Sequence, residues 1–309
     1  MLNQFVGVTG WGNAHFGLTS SDITDNVRLA QIARSVDRIQ EGVVKFQAKL
    51  THRFHNDAET VAYTHLMPAS KTSWTYRQRS WNRPLALILA GMPIIRAKKF
   101  GGSVGHASVL RTLIPKTEDP AYAFDWSEFG LEEPTNSSPI QSSDHICEMK
   151  YAQWIAQLAA QIHKICLDLR FLISKGVVKP VYDESYVGSS SMPHKRNPFL
   201  LERACAMAKT LRVYQDVMFD VMADNALERT LNTSWAIKRA LRVGTRNMLR
   251  LTELLGRIDY EIDQIIDHDT LSLWEETIGS EEDLATKVFK HAESDRWSEY
   301  CKTLESYKK

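Results

Sequence analysis

Apolar residues recur along most of this chain at spacings of three and four, as amphipathic helices require. The clearest run lies between Gln141 and Lys175, which contains neither glycine nor proline. Within it Tyr151, Ile155, Leu158, Ile162, Ile165, Leu169 and Leu172 follow a 4-3-4-3-4-3 rhythm. Such an apolar seam of 3.5-residue period predicts a long helix in a bundle. At 1.5 Å per residue it is about 50 Å long, so partner subunits are expected to cover part of it. Upstream, Thr19-Ser20-Ser21-Asp22 offers N-cap residues, and Val27, Ala30, Ile32, Val36 and Ile39 predict an amphipathic helix between Ile23 and Thr60. Pro68 interrupts, and a second helix is expected from about Thr72 to Ala90. Gly101, Gly102, Gly105 and four prolines make Lys98 to Pro139 a connection with short helices. No proline follows Pro198, and only Gly244, Gly256 and Gly279 punctuate the remainder, so the last third also reads as helical. No β-alternation stands out. The expected fold class is all-α, a long-helix bundle, divided as 1–20 (remnant of an N-terminal domain), 21–226 (central bundle) and 227–309 (C-terminal helical domain).

The 309 residues carry a net charge of +1, with 43% hydrophobic and 24% charged side chains, enough apolar material for a sizeable core. Near-neutrality argues against nucleic acid or an anionic membrane as partner, so any anion recognition must be local. Cys147, Cys166, Cys205 and Cys301 form no CxxC pair, which fits reduced thiols in the cytoplasm. No basic leader precedes an apolar run, and no apolar stretch approaches the roughly 20 residues that span a bilayer. His52-x-x-His55 followed by Asp57 lacks a third ligand in pattern, so no metal is expected there. Met192, Met207 and Met218 read as core.

The stretch Gly188-Ser189-Ser190-Ser191-Met192-Pro193-His194-Lys195-Arg196-Asn197-Pro198 breaks the helical pattern. Two prolines, a glycine and three serines make it a loop between long helices. By composition alone it is either a solvated connection or a mobile functional loop, because its hydroxyls, imidazole, ammonium and carboxamide suit carboxylate binding and proton transfer.

This string resembles the G-S-S-x-M-P-x-K-x-N-P signature loop of the fumarase/aspartase superfamily at every specified position. His15-Phe16-Gly17-Leu18-Thr19-Ser20-Ser21-Asp22 is similar to the H-[FY]-G-x-T-S-x-D region of adenylosuccinate lyases. Thr64-His65 with Pro68-Ala69, and Glu228-Arg229-Thr230-Leu231 with Ser234, resemble two further segments of that branch, in the same order. The resemblance implies β-elimination: a proton leaves the carbon beside a carboxylate, and an amine departs as fumarate forms. By the same match Ser189 is the general base and His65 the general acid, oriented by Glu202. Lys195 and Asn197 bind the succinyl carboxylate. His15, Thr19, Ser20, Thr64, Gln141, Arg229, Ser234 and Lys238 serve the remaining substrate contacts. Without the motifs, His65 is an ordinary turn histidine, Thr19-Ser20 a helix cap and Arg229 a solvated helix-end cation. No cofactor is implied. The expected substrates are adenylosuccinate (giving AMP) and SAICAR (giving AICAR) in purine biosynthesis, bound in active sites shared within a homotetramer. An argininosuccinate-type lyase and an impaired structural paralogue are the alternatives. Relatives of that branch carry several tens of residues before the His15 region, most have arginine where Lys238 stands, and the stretch Ser142-Ser143-Asp144 replaces usually contains arginine. The expectation is therefore a raised KM for adenylosuccinate, or activity only when a fuller homologue supplies the missing segment in a mixed tetramer.

Overall fold

The computed structural model describes residues 16–52, 59–113, 125–135, 138–182, 188–189, 191–192, 194–227 and 230–262. Its body is helical: α1 (Ser20–His52), α2 (Trp74–Ala90), α3 (Ser108–Leu113), α4 (Ile146–Ser174), α5 (Phe199–Ala223) and α6 (Leu231–Arg257). Two small antiparallel pairings complete it, β1 (Glu59–Thr64) with β2 (Met67–Ser73), and β3 (Val178–Pro180) with β4 (Tyr260–Ile262). No described helix is long and apolar enough to cross a membrane.

Helix α4 is the axis of the bundle, packing on α5 most extensively and also on α1, α2 and α6. All seven residues of its 3.5-period seam are buried. A matching seam on α1 runs Leu29, Ile32, Val36, Ile39, Val43, Phe46 and Leu50, again at alternating spacings of three and four. Val27, expected on the apolar face, is 51% exposed. Ile237, Met248 and Leu255 of α6 join the same core.

Polar side chains set how the helices meet. The buried rings of Trp81 and Trp154 need partners for their indole N–H groups. Trp81 donates to the Asp168 carboxylate at 2.7 Å, and Trp154 to the Ile88 carbonyl at 3.0 Å, so α2 and α4 are clipped at two levels. Gln78 donates to the Leu50 carbonyl at 2.8 Å and Gln47 to the Asn82 carbonyl at 3.0 Å, fastening α2 to α1. Tyr151 and Thr245 share a 2.9 Å hydroxyl contact between α4 and α6.

Three expectations need correction. The helix expected over Ile23–Thr60 ends at His52, and Glu59–Ser73 forms a hairpin instead. Its β-branched and aromatic residues Thr60, Val61, Tyr63 and Thr64 suit a pleated surface. Tyr63 stands edge-on to Phe171 of α4 with ring centroids 5.1 Å apart, and Arg77 donates to the Val61 carbonyl at 2.6 Å. The long central helix begins at Ile146, not Gln141, because Ser143 is engaged by an α1 carboxylate, as described below. Met192 is 40% exposed rather than core, since it lies in the loop and not on a helix face, whereas Met218 is buried.

Gly42 of α1 faces α6 so closely that an added Cβ would lie 2.6 Å from Thr252 Cβ. Gly256, near the end of α6, has open space. We predict that Gly42→Ala destabilises the fold by about 1–3 kcal/mol through overpacking. Gly256→Ala should be neutral or stabilising by up to about 1 kcal/mol. Urea unfolding followed by circular dichroism measures both; equal effects at the two positions would contradict the α1–α6 packing.

Candidate active site

The N-terminal corner is built around Asp22, whose side chain is fully buried. Its carboxylate reaches back to the N–H of Thr19 at 2.9 Å, in the manner of a capping box at the start of α1. The same group accepts from Lys98 Nζ at 2.7 Å, Gly101 N at 2.8 Å and Gly102 N at 3.0 Å. A buried carboxylate is tolerated when it is both paired and hydrogen-bonded, and here it is both. One turn later Asn26 grips the backbone of Lys98 from both sides, donating to its carbonyl and accepting from its N–H.

These bonds hold the loop Gly101–His106 beside Thr19 and Ser20. The loop then lies against Ile140 and Gln141, in the segment before α4. A Cβ at Gly101 would sit 2.2 Å from the Ile140 carbonyl oxygen, and Gly102 and Gly105 have φ of +67° and +83°. Only glycine meets both demands. Gln141 donates to the Ser103 carbonyl at 2.7 Å. Thr19, Ser20 and Gln141, far apart in sequence, thus border one glycine-lined loop. Sequence reasoning treated that loop as a connection, although its Gly-Gly-x-x-Gly spacing was a usable signal.

A second buried network lies one turn further along α1. Arg28 donates to Asp25 at 2.9 Å and to Glu148 at 3.1 Å, and the Ser143 N–H donates to Asp25 at 3.0 Å. Burial alone would raise the Glu148 carboxyl, but the His145 hydrogen bond and the Arg28 charge outweigh it and hold this group below the usual range. Ser143 thus serves the scaffold, its backbone N–H held by Asp25.

The signature loop closes on itself. A Cβ at Gly188 would meet the Lys195 carbonyl oxygen at 2.1 Å, so the two ends of the loop touch through bare backbone. Ser189 Oγ accepts from the Met192 N–H at 3.1 Å and approaches Ser191 Oγ at 3.5 Å, and the Lys195 N–H donates to the Met192 carbonyl at 2.9 Å. A donor aimed at the Ser189 hydroxyl favours its anionic form. Tyr182 braces the outer side, its hydroxyl donating to the Arg196 carbonyl at 3.2 Å. Lys195 and His194 are exposed, Asn197 is half-buried, and Pro198 leads into α5.

His65 occupies the tip of the β1–β2 hairpin with Thr64. His65 and Leu66 have φ of 48° and 64°, the left-handed pair of a tight hairpin turn and an uncommon conformation for non-glycine residues, and His65 is exposed. The expected His65–Glu202 pair is absent. Glu202, at the start of α5, instead accepts from Arg170 of α4 at 3.3 Å, and no described residue hydrogen-bonds the His65 side chain. Two groups register the positive field around this helix pair. The Cys205 thiol is pushed down to about 6 by its hydrogen bond with Cys166, aided by Arg170 and Lys209. His163 is lowered by burial and by Lys209, Arg212 and Arg170. Ser234 is half-buried and Lys238 exposed in the first turns of α6. His15 and Arg229, and the His55 and Asp57 of the weak metal pattern, lie outside the described residues. A cavity of about 860 Å³ lined by Arg96, Lys99, Asp144, Cys147 and Lys150 includes none of the motif residues.

A protein-family profile described as lyase matches residues 1–213, through both the Thr19 corner and the signature loop. The chain belongs to this lyase family. The adenylosuccinate lyase of Schistosoma mansoni is 27% identical over 253 residues, which is 73% of this chain and 48% of that protein. The adenylosuccinate lyase of a Synechocystis strain is 31% identical over 221 residues, 68% of this chain and 48% of that protein. The Saccharomyces cerevisiae adenylosuccinate lyase is 27% identical over 237 residues, 74% of this chain and 49% of that protein. The chain spans about half the length of the curated relatives it matches. Among solved structures, the 3-carboxy-cis,cis-muconate lactonizing enzyme of Pseudomonas putida shares the fold at TM-score 0.67 and 19% identity, covering 98% of this chain and 68% of that one. The fumarate lyase of Mesorhizobium sp. BNC1 does so at TM-score 0.59 and 19% identity, covering 84% and 63%. The chain thus shares the fold of these solved structures, and its described residues form long helices with few strands.

The depressed Glu148 carboxyl makes a pH prediction. A carboxyl with a lower pKa folded than unfolded stabilises above its unfolded value, about 4.3, and loses that contribution as pH falls through the folded pKa. Glu148→Gln is expected to cost about 1–3 kcal/mol at pH 7 and to flatten the acid fall in stability. Urea midpoints between pH 3 and 7 check this; parallel curves for parent and variant would refute it.

Proposed function

We propose that the chain carries the core of a fumarate-releasing C–N lyase whose substrates are adenylosuccinate and SAICAR, working in the cytoplasm as a homotetramer. The observation that carries this reading is the complete signature loop within a lyase-family match whose curated relatives are adenylosuccinate lyases. In the proposed mechanism Ser189 removes the proton beside the substrate carboxylate. The Met192 N–H contact supports its alkoxide, and loop closure excludes water. Lys195, exposed and without a partner among the described residues, and Asn197 receive the carboxylate. His65 protonates the departing nitrogen, histidine's pKa range being suited to that transfer. Thr19, Ser20, Thr64 and Gln141 border the remainder of the substrate, with His15, Arg229, Ser234 and Lys238 as its anion contacts.

The exposed, unpartnered His65 at a hairpin tip, and a Glu202 engaged by Arg170, support a site assembled between subunits: this histidine serves a neighbour's Ser189. Exposed apolar side chains on the long helices, among them Leu167, Val213 and Phe219, support the same assembly. The free thiols of Cys147, Cys166 and Cys205 fit a reducing compartment.

Ser189→Ala should lower kcat by about 10²–10⁴-fold with little change in substrate affinity, because it removes a base and no charged anchor. Lys195→Ala should impair KM and kcat together. Purine absorbance reports turnover, with argininosuccinate assayed in parallel; turnover of argininosuccinate alone would overturn the purine assignment. No turnover of either by a well-formed tetramer would favour the structural paralogue.

Subunit sharing has its own test. Ser189→Ala and His65→Ala homotetramers should each be inactive, while tetramers mixed from the two should regain a measurable fraction of parent activity. Mixed tetramers as inactive as their parents would place both residues in one subunit's site.

A further inference from the structure

Helix α6 presents an unusual solvent face. Arg239, Arg242, Arg246, Arg250 and Arg257 are all exposed. At 100° per residue they fall within an arc of about 80°, a row roughly 27 Å long. Glu253 is the only acidic residue in that row. None of the five arginines has a carboxylate partner among the described residues. Only Arg239 has a recorded neighbour of another kind, the Trp235 ring at 5.0 Å. Helices α1 and α5 pack on α6, yet their acids do not reach this row: Glu41, for example, pairs with Lys45 on its own helix. Five like charges held in register are mutually repulsive and call for an anionic cover.

The chain contains a matching polyanion. Eight of the 21 residues in 263–283 are Asp or Glu, and none is Lys or Arg. With +1 on the whole chain and −8 on this segment, the rest carries +9. Ile265, Ile266, Leu271, Leu273, Trp274 and Ile278 are interspersed with the acids. The segment also starts in the right place. Strand β4, which pairs with β3, ends at Ile262, and the segment begins at the next residue, six positions after Arg257. Even at the compact rise of 1.5 Å per residue, 21 residues reach about 31 Å, enough to run the length of the row.

We propose that the arginine face of α6 is the docking surface for this chain's own acidic segment 263–283. The inference is independent of the proposed reaction. Docking neutralises the row, and the apolar residues between the acids cover the exposed ring of Trp235. Because the contact is a rank of charge pairs at the surface, it weakens with salt.

The test is amide hydrogen exchange on the full chain. Segment 263–283 should be protected at least tenfold at low salt, and less so in 0.5 M NaCl. The triple variant Arg242→Glu, Arg246→Glu, Arg250→Glu should lose that protection. Combining it with Glu275→Arg, Glu276→Arg, Glu281→Arg and Glu282→Arg should restore part of it, which a merely misfolded protein could not do. If the charge-reversed helix fails to fold by circular dichroism, arginine-to-glutamine substitutions at the same three positions give the same readout. Unchanged exchange of 263–283 between parent and variant would overturn the proposal. So would heparin, used as a soluble polyanion, binding the parent without altering exchange of the segment; the face would then serve an external polyanion.

Discussion

The buried carboxylate of Asp22 is the constraint from which the candidate site follows. Its partners Lys98, Gly101 and Gly102 lie 76 to 80 residues away in sequence, and all converge on the first turn of α1. Removing a partner from a buried ion pair leaves an uncompensated charge and costs more than the pair contributes, so the arrangement is closer to all-or-none than to a sum of contacts. The carboxylate thereby fixes the glycine-lined loop, and through it the position of Gln141 relative to Thr19 and Ser20. The polar residues at the start of α1 work in pairs on two crossing segments: Asp22 and Asn26 hold 98–102, while Asp25 and Arg28 hold Ser143 and Glu148.

The bundle supplies rigidity at longer range. Two tryptophan N–H groups on opposite helices set the register of α2 on α4, and that register places the hairpin through Tyr63 against Phe171 and Arg77 against Val61. The hairpin presents an exposed histidine at its tip, with no described carboxylate hydrogen-bonded to it. The hairpin tip and the loop carrying Ser189 are set by different helix junctions, the first by α2 and α4 and the second by the start of α5.

The arginine row and the acidic segment belong to a separate layer of organisation. The row lies on the outer face of a helix whose inner face is fully committed to the core, so its charges have no role in packing. Net charge near zero conceals this polarity, because the compensating acids are concentrated within one short stretch of sequence.

Helix identity, the 3.5-residue seam of α4, the loop at 188–198 and the lyase family were all legible in the sequence, because each depends on local periodicity or on a contiguous string. Gly188 is a clear case: the loop's closure on the Lys195 carbonyl admits no side chain, so the glycine itself records the geometry. What the sequence left open depended on partners distant along the chain. The segment Glu59–Ser73 became a hairpin because Phe171 and Arg77 could hold it, and the central helix began at Ile146 because Asp25 had claimed Ser143. Glu202 turned to Arg170 rather than His65 for the same reason: a carboxylate takes the nearest cation that folding delivers, and no spacing rule along one chain encodes which that is.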